Sequence, residues 1–201
     1  MIKRFFGEFP TELYNVNLPK FDIAACSWTS AQAVAADTNG IIDGGECSDS
    51  KAVTLTPDEG TEMPCARNIT ATVAATTEGN IKAVKVKVYG TNILGEKIDE
   101  ELPAFTVDTA GSVVGSKAFA TVTKVTVPAM DGTGVTVDVG WGDKLGLPVL
   151  LDHNAVLYAV KDHVRETTAP TVGYSSTDIE SNTIDLYNDL DGKEVEVYFV
   201  I

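Results

Sequence analysis

A mostly β fold is what this sequence predicts: an antiparallel β-sandwich, or as the alternative a small β-barrel, carrying an extended N-terminal arm. Val and Thr together make up nearly a quarter of the 201 residues, and both are stiff, β-branched side chains that suit a pleated sheet better than a helix. Apolar and polar residues alternate through several segments, the mark of a strand with one face buried. The stretches between them are short and rich in Gly, Asn and Asp, with no helical pattern of about ten to fifteen residues that would signal βαβ units.

The first 28 residues hold Phe5, Phe6, Phe9, Tyr14, Phe21 and Trp28 and are broken by Pro10 and Pro19. Such a segment makes a poor regular element and a good extended arm, whose rings can fill pockets on another chain or on its own core. Residues 1–36 are read as this arm, with Phe5, Phe6, Phe9 and Tyr14 as candidate partner-binding anchors. Ser30–Ala36 has a spacing that suits either one short helix or a strand. Residues 37–50, rich in Gly, Asp and Ser, read as a flexible connection, and residues 51–201 as the sandwich domain.

Within that domain the clear strands are 83–88, 121–127, 135–139 and 194–199. Val84, Val86 and Val88, for example, point one way while Lys85 and Lys87 stay wet. Weaker strands are expected at 52–56, 68–74, 97–107 and 155–160. Tyr89 through Gly95, Asp131-Gly132-Thr133-Gly134 and Asp191-Gly192 supply the turns, each with residues that accept positive φ or close an Asx turn.

Charge narrows the partners. The formal net charge is −14 and the pI about 4.4, so phosphates repel the chain at every approach and no nucleic-acid partner is expected. No stretch approaches the ~18–20 apolar residues of a membrane helix, and Met1 to Phe6 is followed by Gly7, Glu8 and Pro10 where a signal peptide would have its apolar core. A chain without membrane or secretory segment is expected. Cys26, Cys47 and Cys65 include no Cys-x-x-Cys and are read as buried thiols.

Motifs for chemistry are weak. The two histidines occur as Asp152-His153 and Asp162-His163, ten residues apart, without the close spacing that sets two imidazoles on one face for a metal. A metal-dependent hydrolase built on those four residues is the enzyme reading, and it ranks last. Gly140-Trp141-Gly142-Asp143-Lys144-Leu145-Gly146 looks superficially like a phosphate loop, but no helix follows it, and a structured turn with unusual glycine dihedrals is expected. The acidic run Asp99-Glu100-Glu101 and the calcium-loop fragment Asp189-Leu190-Asp191-Gly192 read as exposed charge. Asn68-Ile69-Thr70 has the form of a glycosylation acceptor, but without a secretory signal the match carries no weight.

Three stretches carry a resemblance: Val88-Tyr89-Gly90-Thr91-Asn92-Ile93-Leu94-Gly95-Glu96, then residues 115–128 with Lys117-Ala118-Phe119, then residues 137–148 with Gly142-Asp143-Lys144-Leu145-Gly146-Leu147-Pro148. Over about residues 66–201 the series resembles structural proteins of tailed-bacteriophage virions, in particular capsid decoration, or cement, proteins. The resemblance implies a place on the capsid surface after assembly in the host cytoplasm. It also implies contacts with the major capsid protein and with further copies of the chain, no cofactor and no catalytic residues. A tail or host-contact component is the alternative, with Trp141, Tyr158 and Tyr174 stacking on sugar rings.

Overall fold

The computed structural model describes residues 3–5 and 22–200. Its strands are β1 (Lys3–Phe5), β2 (Ile23–Trp28), β3 (Asp37–Glu46), β4 (Val53–Leu55), β5 (Arg67–Ala75), β6 (Lys85–Thr91), β7 (Lys97–Ala104), β8 (Gly111–Phe119), β9 (Thr121–Val127), β10 (Val135–Gly146), β11 (Val156–Lys161), β12 (Val164–Arg165), β13 (Thr171–Gly173), β14 (Thr183–Asp185) and β15 (Val195–Val200). Two 3-10 turns, Glu78–Asn80 and Ile179–Ser181, are the helical elements among the described residues. The strands form a five-stranded sheet, β1-β2-β15-β11-β12, a six-stranded sheet, β13-β14-β10-β5-β8 with β3 also on β10, and a four-stranded sheet, β4-β9-β6-β7. Every pairing is antiparallel. The all-β expectation holds, and the clear and weaker strands read from alternation all fall on strands.

Two cores result. Val86, Val88, Leu102, Val125 and Val127 of the four-stranded sheet pack against Ile69, Ala71, Val73 and Val135, Val137 and Val139 of the six-stranded one. Cys26, Trp28, Val195, Val197 and Phe199 of the five-stranded sheet pack against Leu145, Leu147, Leu151, Ile184 and Leu190. β10 belongs to both. It pairs with β5 from Val135 to Trp141 and again at Leu145, with a register shift between; such a bulge bends a strand, and here it carries the chain from one core to the other.

The N-terminal fifty residues differ from the sequence reading. Residues 37–50 are not a loose connection: β3 pairs with β10 and buries Ile41 and Ile42 in the first core. Nor do residues 1–36 form an arm throughout. β2 lies inside the five-stranded sheet, in register with β15 from Trp28↔Val195 to Ile23↔Val200. Small residues and glycines hide both strands from a pattern search, whereas the backbone edges of β10 and β15 give them partners. Ser30–Ala36 makes one turn, with Gln32 and Ala33 N–H both donating to the Thr29 carbonyl at 2.9 Å.

The glycine-rich 140–146 segment is likewise strand, not turn, and none of its glycines has positive φ. The glycines serve close approach: a Cβ on Gly140 would lie 1.8 Å from the Asp37 carbonyl oxygen. The expected turns do occur elsewhere. Gly95, Gly134 and Gly192 have φ of 79, 75 and 79°, and Asn92 Oδ1 accepts the N–H groups of Leu94 and Glu96, both at 3.0 Å.

Candidate functional site

The outer face of the five-stranded sheet is the most interface-like surface the described residues build. Alternation turns Cys26, Val197, Phe199 and Ala159 into the second core, so Tyr198 and its partner Tyr158 lie half-buried on the opposite face, with the buried Ala25 next to Tyr198. The two tyrosine rings stack with centroids 4.7 Å apart and planes at 22°, and the Arg165 guanidinium lies 4.7 Å over the Tyr158 ring. Tyr198 Oη donates to Glu196 Oε2 at 2.9 Å, a bond that raises the phenol's pKa because it favours the protonated form. Ile23 and Leu157 beside them are 39% and 46% exposed. Tyr and Arg are the residue types that most often anchor protein interfaces, because each offers area and a directed polar group at low entropic cost.

Of the four anchors read from the sequence, Phe6, Phe9 and Tyr14 lie outside the described residues. Phe5 ends β1, whose backbone register sets it opposite Ile23. β1 and β2 thus run side by side at one edge of the sheet that carries Tyr158 and Tyr198. Sequence reasoning named Tyr158 but not Tyr198; the signal was there, since strict alternation through β15 sets Tyr198 opposite in sense to Val197 and Phe199.

The candidates for chemistry are spread out and mostly structural. Asp162 and His163 are the two-residue loop of the β11–β12 hairpin, with φ of 50 and 63°, as a type I′ turn requires. His153 is exposed and bonds Asp152 through Nδ1. Among the described residues, no group of three or more His, Cys, Asp or Glu is placed to hold a metal ion. Cys26, Cys47 and Cys65 are free, and burial pushes each thiol up to about 11, the direction that makes a cysteine unreactive.

Several residues of the weak motifs turn out to be ties. Asn68 is buried, its side-chain amide donating to the Gly115 carbonyl at 3.3 Å and its Oδ1 accepting Lys144 N–H at 2.9 Å, so it is no glycan acceptor in this fold. Glu100 turns away from the outward-facing Asp99 and Glu101 and reaches β8, where one oxygen accepts Ser116 N–H and Oγ–H, each at 2.7 Å. Asp191 pairs with Lys161 at 3.4 Å. The Trp141 ring lies over Gly40, and its Nε1–H donates to the Ala35 carbonyl at 3.3 Å, so Trp141 fixes the start of β3. Tyr174 remains 53% exposed.

One buried charge stands out. Arg67 is fully buried, donates to the Val34 carbonyl at 2.7 Å and meets Asp143 at 3.5 Å. Its Nε and Nη2 make no hydrogen bond among the described residues. Burial lowers its pKa, with nearby Asp143 opposing. It sits on β5 where β10 bulges, holding the crossing between the two cores. Compared with family models, with curated proteins and with solved structures, the chain matches none.

Proposed function

We propose that this chain is a virion structural protein of the capsid-decoration kind, which rests on the major capsid lattice and stabilises it without catalysing a reaction. Support comes first from the three motif stretches between residues 88 and 148. They fall on β6, β8, β9 and β10 and supply Val88, Phe119, Val125, Val127, Val137 and Val139 to the first core. The observation that carries the reading is the outward Tyr158–Tyr198–Arg165 cluster, on the sheet whose edge strand is β1. An aromatic seated in a desolvated pocket contributes roughly 2 kcal/mol or more, and a repeating lattice multiplies modest contacts through effective concentration.

The test is co-sedimentation with empty capsids, comparing the wild-type chain with a Phe6→Ala/Phe9→Ala/Tyr14→Ala variant and with Tyr158→Ala/Arg165→Ala. Both variants are expected to lose at least about tenfold in affinity, the equivalent of about 1.4 kcal/mol. Cryo-microscopy of particles carrying the chain would place it on the head; absence from assembled particles ends the proposal.

A further inference from the structure

Where the β13–β14 pair of the six-stranded sheet approaches β8 lies a cleft of about 190 Å³. The hairpin register sets Thr171 opposite Asp185 and Gly173 opposite Thr183, while Ile184, between Thr183 and Asp185, is buried in the second core. The cleft therefore rests on packed side chains. Lys144 enters from β10, its backbone held by buried Asn68, and Ser181 enters from the 3-10 turn. A Cβ on Gly173 would come within 2.7 Å of Thr183 Oγ1, so glycine there keeps the hairpin side of the cleft open.

Asp185 and Lys144 face this space as an unmatched pair. Among the described residues neither makes a side-chain hydrogen bond, and no ion pair within 4.0 Å includes either. Asp185 is only partly exposed, and burial raises its carboxyl pKa, with Lys144 near enough to oppose the shift and Asp143 and Asp189 adding to it. Elsewhere comparable charges are paired, as Lys117 is with Glu180 at 3.5 Å. A half-buried carboxylate and an ammonium that share a cleft without touching have bonding capacity to give a ligand.

We propose that this cleft binds a single saccharide unit, Asp185 accepting from and Lys144 donating to neighbouring ring hydroxyls, with Thr171, Thr183 and Ser181 completing the contacts. A hydroxyl both donates and accepts, so a vicinal pair satisfies a carboxylate and an ammonium together. Phosphate is repelled by Asp185, and a divalent cation would find Asp185 as the one carboxylate lining the cleft, beside a repelling ammonium, where it needs several oxygens. The volume is below the ~300–1,000 Å³ of drug-sized sites, which limits the occupant to one ring. The inference goes beyond the capsid reading and stands apart from it.

Saturation-transfer NMR on the full chain, with methyl glycosides of glucose, galactose, mannose and N-acetylglucosamine, tests it. At least one glycoside is expected to bind at about 1 mM, which is a modest −4 kcal/mol. Asp185→Ala and Lys144→Met should each weaken that binding at least about tenfold, and Gly173→Ala should block it by filling the space. Circular dichroism and thermal melts report whether each variant is folded, so loss through unfolding is separated from loss of contacts. No transfer to any glycoside by the wild-type chain overturns the proposal, as does transfer unchanged in the folded variants, or binding of glycine or alanine in place of all four sugars.

Discussion

Gly140→Ala is the sharpest perturbation of the crossing between the two cores. The added Cβ would stand 1.8 Å from the Asp37 carbonyl oxygen, 2.6 Å from the Thr38 carbonyl carbon and 2.7 Å from the Asp37 carbonyl carbon, all backbone atoms. Cβ contacts essentially never fall under 3.0 Å, so β3 must retreat by at least 3.0 − 1.8, or about 1.2 Å, from a rigid strand. That retreat strains the Trp141↔Asp37 and Val139↔Ile42 pairings and the Trp141–Ala35 hydrogen bond. Overpacking costs about 1–3 kcal/mol and each hydrogen bond lost adds about 1 kcal/mol. The sum is about 3 kcal/mol, which for a chain of this length lowers Tm by roughly 6–12 °C. Urea titration followed by Trp fluorescence measures the loss, and hydrogen exchange should show the β3 amides opening first. Gly79→Ala is the control, because a Cβ there meets nothing within 4 Å. A Gly140→Ala protein within about 0.5 kcal/mol of wild type, the usual range of a neutral surface change, would refute the close-approach argument.

Other outcomes follow from the same structure. Asp143→Ala leaves the buried Arg67 without its counter-charge and is expected to cost about 3 kcal/mol, and Arg67→Met, which loses the bond to the Val34 carbonyl and leaves Asp143 without its partner, about 2 kcal/mol; chemical denaturation measures both, and near-neutral variants would contradict the role given to the pair. Glu100→Ala removes the acceptor of Ser116 N–H and Oγ–H and should cost about 2 kcal/mol, with exchange protection lost at Ser116. The three thiols, ordinarily near 9.0 and pushed up to about 11 in the fold, should resist a thiol reagent at pH 8 until the protein is denatured. Because the unfolded chain releases those protons first, their contribution to stability is complete below pH 9 and is lost as pH rises toward 11; a pH series of urea midpoints that stays flat there would contradict it.

Legibility in the sequence tracked how far a strand advertises itself. β6, β9, the start of β10 and β15 alternate Val with polar residues, and period two with one buried face is enough to locate them. β3, with the sequence Asp-Thr-Asn-Gly-Ile-Ile-Asp-Gly-Gly-Glu, and β8, with Gly111 and Gly115, carry little β propensity of their own. They are strands because β10 and β5 present open backbone edges, and an unpaired buried edge is costlier than weak propensity. The same competition turned the glycine-rich 140–146 segment into strand, since glycine marks close backbone approach as readily as a turn. Tyr158 and Tyr198 were each visible, but their stacking across forty residues needed the β11–β15 register.

Side-chain shape and spacing along a short length of chain suffice for the β class, the strongest strands and the Asn- and Gly-bearing turns, as composition does for the net charge of −14. Tertiary structure alone decided that β10 serves two cores, that Arg67 is buried at their junction, and that Lys144 and Asp185 face one cleft. Those outcomes rest on strand register between distant segments, where a shift of one residue turns every side chain to the opposite face, and no local pattern encodes which edge a strand will meet.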